Sequence, residues 1–457
     1  MTDLAEKLSK YALSLDYEQI DSDVLVEAKK RLIDTLGCAI GAFDEKPVKE
    51  TRRALERNFI GNSSSVIGTK MKTSADLATF ANGLMVRYFD FNDTYLSKEP
   101  AHPSDNIPAC LAAGEANHRC GRDLIVAMTV AYEIQSRLCD AASLRSKGWD
   151  HVCYGLVSSA LAAGLLYRLD EEQMTNAVNI SLNSHIAMRQ VRVGSLSDWK
   201  GFSFANAARN AVFSVLLARE GITGPSPIFE GEMGFFQQVS GKFDLDPTMF
   251  GNSDYASFKL SESYIKYYPA EYHSQSAIWA ALEARKEIDD IEKISSVEIE
   301  THEAGFTILG SDKEKWAPKT KETADHSLPF IVGMALLEGR IQNSTYSHRN
   351  LINPKIANLM KKISVIEDKQ LTTSYPSEIA NKIIMKLTDG RTINKQVNVP
   401  KGHPRNPMTQ DEVEFKFKRL TRRFLSASQM ERIIDFVQDI EKQRDVSVLP
   451  KLCIVRR

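Results

Sequence analysis

From the first residue to about 262, apolar positions recur at helical spacing. In "SDVLVEAKKRLIDTLGCAIGAF", Val24, Leu25, Ala28, Leu32, Ile33 and Leu36 share one face, and Asp21 or Ser22 stands at the N-cap. "GRDLIVAMTVAYEIQSRLCDAA" and "YGLVSSALAAGLLYRL" are apolar nearly all round, the mark of helices buried inside a large bundle. "DEEQMTNAVNISLNSH" opens on acidic residues, which the helix dipole favours at that end. "ANAARNAVFSVLLAREG" predicts another helix, stopped by Gly221, whose small residues let neighbouring backbones approach closely.

Near residue 290 the period changes. "ISSVEIETHEAG" alternates apolar and polar residues and ends in glycine, as a half-buried strand does. "PSEIANKIIMKLTDGRTINKQVNV" predicts a hairpin turning at Asp389-Gly390. Between them, "TADHSLPFIVGMALLEGRI" predicts a loop entering a helix. After "VPKGHPRNPM" the helical period returns in "DEVEFKFKRL" and "ASQMERIIDFVQDIEKQ". The pattern therefore predicts a mainly α protein. A large all-helical domain spans 1–262 and 404–457, and a smaller α+β lid domain, 263–403, is inserted before the C-terminal helices. No internal repeat, low-complexity tract or long linker interrupts it.

Composition narrows the function. The 457 residues are 43% hydrophobic and 26% charged, enough for a large core that needs neither disulfides nor metals to fold. A net charge of −1 removes any whole-chain argument for nucleic acid or an anionic membrane as partner. No apolar run reaches the ~18 residues of a membrane span. "MTDLAEKLSKYALSLDYEQ" lacks the apolar core of a signal peptide, so a cytoplasmic protein is expected. Cys38, Cys110, Cys120, Cys139, Cys153 and Cys453 form no C-x-x-C pair, and most lie in apolar helical text, as free buried thiols do. There is no G-x-G-x-x-G after a strand, no P-loop, no H-E-x-x-H and no G-x-S-x-G. Any chemistry must come from polar residues at the ends of apolar helices.

Several clusters fit that description. "RYFDFNDTYLSKEPAHPSDN" carries Asp90, Asn92, Asp93, Thr94 and His102. A carboxylate that fixes a histidine tautomer suits proton abstraction. The same stretch also reads as caps, with Ser104 or Asp105 starting the next helix. "GWDHVCYG" sets Asp150 beside His151, either as a core or cap histidine or as a catalyst. In "RQVRVGSLSDWKGFSFANAARN", Arg189, Arg192, Lys200 and Arg209 crowd together, and Lys200 heads a helix where the dipole disfavours a cation. A solvated face or a polyanion site accounts for that cluster. "YIKYYPAEYHSQSA" brings Lys266, Glu271 and His273 to the predicted domain boundary, and "PKTKETADHSLPF" carries Lys319, Asp325 and His326.

These segments, with "GWDHVCYGLVSSALAAGLL" and "KGHPRNPM", resemble the MmgE/PrpD family in the same order nearly end to end. The family includes 2-methylcitrate dehydratases, cis-aconitate decarboxylases and iminodisuccinate epimerase. The resemblance implies a helical domain with an α+β lid, a homodimer, a tricarboxylate substrate, and no metal or organic cofactor. It is nearest the dehydratase branch: Ser203 and Glu271 stand where decarboxylases tend to carry histidine, and Phe330 where relatives often have tyrosine. By that likeness Asp90, Thr94, His102, His151, Lys200 and Lys266 form the active site, joined by His273 and Arg192. His102, oriented by Asp90, is expected to be the base and His151 the acid. Lys200, Lys266 and Arg192 are expected to hold the carboxylates. Decarboxylation or epimerisation of a related acid, and an inactive carboxylate-binding scaffold, are the competing expectations.

Overall fold

The computed structural model describes residues 3–59, 61–194, 196–252 and 256–456. It is mainly α. The predicted helices form as Ser22–Gly41, Gly121–Ala141, Val152–Tyr167, Glu171–Ser184 and Trp199–Arg219. The Asp170 side chain accepts the Gln173 N–H at 2.9 Å to cap the fourth of these. Val24, Ala28, Leu32, Ile33 and Leu36 are all buried, as their spacing predicts. The helical text does not continue to 262, however. From Gly221 onward the chain runs through turns and single helical turns such as Pro247–Met249 and Lys259–Glu262, tied down by the buried Glu133, which accepts the backbone N–H groups of Gly251 and Lys259.

One close approach between helices brings distant polar residues together. Helix Ala75–Arg87 lies along helix Trp199–Arg219. A Cβ on Gly83 would stand 2.9 Å from the Cβ of Ala205 and 3.1 Å from its Cα, so the crossing needs a bare backbone there. That crossing brings the end of one helix, Arg87, to the start of the other, Lys200.

The strands are β1 (Ser64–Ser65), β2 (Lys72–Thr73), β3 (Ile294–Thr301), β4 (Ile363–Glu367), β5 (Asn381–Leu387) and β6 (Thr392–Val397). The first two form a minimal ladder that the sequence pattern does not signal. The other four make one sheet in the order β4-β3-β5-β6. β3 pairs parallel with β4 and antiparallel with β5, in the register Ile299 with Val365 and Ile383. The β5–β6 hairpin turns where Asp389-Gly390 predicts, with Gly390 at φ +87°. β3 ends at Thr301 rather than at the later glycine, because His302 caps a new helix, Glu303–Leu309, by accepting the Gly305 N–H.

Beside two small clusters, two large hydrophobic cores form among the described residues. One draws on residues 4–265 and 408–453 and the other on residues 268–393. In the second, Val297, Ile299, Ile383 and Met385 on the sheet are buried with helices Gln275–Arg285 and Leu328–Glu338. The C-terminal helix Gln410–Thr421 packs on Ser22–Gly41 in the first core. Its Lys416 is buried, pairs with Asp34 at 2.7 Å, and donates to the carbonyls of Phe91 at 2.7 Å and Lys266 at 2.8 Å. Among the described residues no helix is long and apolar enough to cross a membrane. All six cysteines are free thiols, five of them buried.

Candidate active site

Helix Ala75–Arg87 ends at the loop 88–106, and the loop turns at Asp90, whose φ of +50° is left-handed. Aspartate tolerates that region better than most residues, and such outliers gather at functional sites. The turn aims a buried carboxylate at three cations. Asp90 Oδ1 accepts from Arg87 and, at 2.6 Å, from Lys266 Nζ, which also donates 2.8 Å to the Asp90 carbonyl. Lys200 Nζ lies 3.4 Å from Oδ2. Burial pushes the Asp90 carboxyl up, but Arg87, Lys266 and Lys200 outweigh it and hold the group well below the usual carboxylate range.

Lys200 also faces Asp325, 3.6 Å away, and His326 Nδ1, 3.2 Å away. Asp325 in turn takes Lys321 at 2.9 Å and His326 Nδ1 at 2.6 Å. The dipole penalty at the head of the Trp199–Arg219 helix is thus met by two carboxylates. Arg87, Lys200, Lys266 and Lys321 converge on Asp90 and Asp325, four cations on two carboxylates. Asp105 also lies 3.7 Å from Arg87, and the converging ammonium and guanidinium donors suit a polyanion.

The imidazoles occupy the adjoining face. His102 Nδ1 is 2.7 Å from the Asp93 carbonyl, which can only accept, so Nδ1 carries the proton. Nε2 therefore accepts from Arg87 Nη2 at 2.8 Å. Thr94 Oγ1 lies 3.2 Å from Nδ1. The orienting group is the Asp93 carbonyl rather than the Asp90 carboxylate, which Arg87 and the lysines occupy. Burial, then Arg87 and Lys266, keep the His102 pKa well below its ordinary value, so the ring is neutral.

His151 stands 5.8 Å from His102, centroid to centroid, with the rings edge-on. Its Nδ1 is 2.9 Å from Asp150, which Arg192 also engages at 2.9 Å. Its Nε2 is buried and has no hydrogen-bond partner among the described residues. Burial lowers the pKa of the ring against the pull of Asp150. A neutral imidazole backed by a carboxylate, with a free lone pair, is the arrangement a general base requires.

The sequence-derived residues divide accordingly. Asp90, Thr94, His102, His151, Lys200, Lys266 and Arg192 come together. His273 borders this cluster through Glu271: its Nδ1 is 2.7 Å from the carboxylate of that residue, whose backbone N–H donates to the Asp325 carbonyl at 3.0 Å, while its Nε2 is 3.4 Å from the Tyr375 hydroxyl and its ring packs near His302. Burial raises Glu271, and His273, then His326 and Lys266, outweigh this to bring its carboxyl down to about 2. Arg209 donates to Asn210, and Lys319 is exposed. Ser104 and Asp105 do not cap the next helix; both accept from Asn92, at 2.9 and 2.7 Å. Burial raises the Asp105 carboxyl to about 7. Asp93 is structural, accepting from the Ser104 N–H and the Tyr132 hydroxyl.

Sequence pattern alone does not single out Arg87, though a cation closing an apolar helix three residues before an aspartate is a usable signal. Lys321 has no such signal, and Asp325 and His326 carry more weight than their segment alone suggests.

Asp90, Asp325 and His326 also place ligand atoms within 4.8 Å of one another, as a cation site requires. The Lys200 ammonium already sits 3.2–3.6 Å from all three residues and supplies that charge. The donor set therefore fits a lysine better than a divalent metal.

The fold and the cluster define a mainly helical protein with a buried cluster of cations, carboxylates and imidazoles. The chain belongs to the MmgE/PrpD family: residues 6–248 match the MmgE/PrpD N-terminal domain and residues 268–442 the C-terminal domain. A 2-methylcitrate dehydratase of Cupriavidus necator is 31% identical over 405 residues, covering 83% of this chain and 81% of that protein. A 2-methylcitrate dehydratase of Escherichia coli K12 is 30% identical over 447 residues, covering 89% and 88%. An alkylcitrate dehydratase of a fungal species is 27% identical over 462 residues, covering 93% and 89%.

Proposed function

We propose that the protein is a hydro-lyase that removes water from 2-methylcitrate, and from citrate as a smaller analogue, to give a cis-aconitate-type alkene. The observation that carries this reading is the Asp150–His151 pair, whose buried Nε2 has no partner among the described residues, beside the cations gathered on Asp90. Relatives named as dehydratases of 2-methylcitrate and of alkylcitrate support it.

His151 takes the proton from the carbon next to a substrate carboxylate. Asp150 holds the Nδ1 proton and steadies the imidazolium that forms. Lys200 neutralises charge building on that carboxylate, which is usually the largest contribution. Lys266, whose pKa burial lowers despite Asp90, gives a proton to the departing hydroxyl, which leaves as water. Thr94 and Arg192 bind the remaining carboxylates. Arg87 fixes His102, which borders the substrate without acting as base. The unit 263–403, which supplies Lys266, Asp325 and His326, acts as the lid.

Incubation with 2-methylcitrate, citrate and cis-aconitate, followed by NMR, tests the reading. The expected product is the alkene from 2-methylcitrate. Carbon dioxide released from cis-aconitate with no dehydration would overturn it. The pH profile is a second expectation. His151 must be neutral and its pKa lies below the ordinary value of about 6.5, so kcat/KM should hold as pH falls through that value and drop only below it. Lys266 must be protonated and its pKa lies below about 10.4, so the alkaline limb should come earlier than for a free lysine. An acid limb centred above 6.5 would count against His151.

A further inference from the structure

Tyr346 lies in the turn Asn343–Tyr346, outside every polar segment singled out in the sequence. It is 4% exposed, and its hydroxyl is buried without a hydrogen-bond partner among the described residues. A buried hydroxyl with no partner is a net cost to folding, and native structures rarely keep one without reason. Its ring packs at 6.3 Å from Phe330, on the first turn of helix Leu328–Glu338. That helix is capped by Ser327, directly after Asp325 and His326. The phenol is therefore held against the element that carries one wall of the site. Phe330 brings no hydroxyl to that wall, so Tyr346 is the aromatic of the pair that can donate. Burial, and then the charges of Asp325 and Asp90, raise the phenol well above its ordinary pKa. It stays a neutral donor wherever the enzyme works.

We propose that Tyr346 is a substrate-binding residue whose free O–H donates to a carboxylate oxygen of the tricarboxylate seated between Lys200, His326 and the two imidazoles. The inference rests on the hydro-lyase reading and names a contact within that site. Asp325 and Asp90 are both held by lysines. An incoming carboxylate that recruits Lys200 still has an acceptor oxygen to satisfy on the lid side. A fixed neutral donor meets that need without adding charge, and Tyr346 supplies it.

Tyr346→Phe removes one oxygen and keeps the ring, so the test does not depend on refolding. The wild type is assayed first on 2-methylcitrate and citrate; turnover of neither would overturn the parent reading, and this inference with it. With an active wild type, the variant is expected to lose roughly 10- to 100-fold in kcat/KM, the range for a hydrogen bond to a charged group. The loss should fall on KM, because the contact exists before the transition state. The melting temperature should be unchanged or higher, since the hydroxyl has no hydrogen-bond partner to lose among the described residues. A kcat/KM within twofold of wild type would overturn the role of Tyr346 and leave the hydro-lyase reading standing. A loss confined to kcat would overturn the assignment to carboxylate binding, and a lower melting temperature with unchanged KM would mark the hydroxyl as structural.

Discussion

His151→Gln is expected to lower kcat by roughly 10²- to 10⁴-fold, the usual contribution of one general base, while KM moves only a few-fold. His151 Nε2 has no partner among the described residues to lose, and glutamine can still donate towards Asp150. Stability should therefore stay close to wild type. His102→Gln makes the contrast. His102 accepts from Arg87 and donates to the Asp93 carbonyl, so its loss leaves a buried guanidinium short of an acceptor. That variant should lose stability and substrate affinity together. Steady-state kinetics and denaturant midpoints on the two variants separate the roles. A His151→Gln enzyme with wild-type kcat, or a His102→Gln enzyme with lost kcat and an unmoved midpoint, would reverse the assignment.

Asp90→Asn is expected to be more damaging than its one-atom change suggests. Asparagine accepts the left-handed backbone at φ +50°, so the turn itself should survive. What disappears is the charge on which Arg87, Lys200 and Lys266 converge. Lys266 is 1% exposed and would face burial without a counter-ion. Breaking a buried pair on one side costs about 3–5 kcal/mol. The same change lets Lys266 give up its proton, so the alkene-forming rate should fall at least ~100-fold, since electrostatic preorganisation is lost along with the acid. Chemical denaturation and the alkene absorbance assay measure both. A variant with wild-type midpoint and turnover would mean that Asp90 neither holds the lysines nor serves the reaction.

Much of this site can be read from sequence because its residues cluster locally. Asp150 and His151 are neighbours, and Asp90, Thr94 and His102 share one loop, so their types and spacing already suggest acid–base work. Lys200 declares itself by standing where the helix dipole opposes a cation. The partners that complete these groups are harder to read. Asp325 and His326 meet Asp90 and Lys200 across more than a hundred residues of chain, and the crossing at Gly83 and Ala205 that first brings Arg87 to Lys200 is likewise encoded by no local pattern. Glu271 and His273 are legible as a pair two residues apart in a tight turn, but the bond from the Glu271 N–H to the Asp325 carbonyl is not. The fold follows the same division. Long apolar helices and the Asp389-Gly390 hairpin carry their own signal. β4, five residues joined in parallel to a strand some sixty residues earlier, has none beyond a brief alternation.

Lys416 works as a clasp. Its ammonium holds the carbonyl of Phe91, next to Asp90, and that of Lys266 itself, while paired with Asp34 on an early helix. Three stretches of chain distant in sequence are thus pinned by one side chain. A change at Lys416 would therefore be felt in the seating of the Asp90 turn against Lys266, although its helix carries none of the candidate site residues.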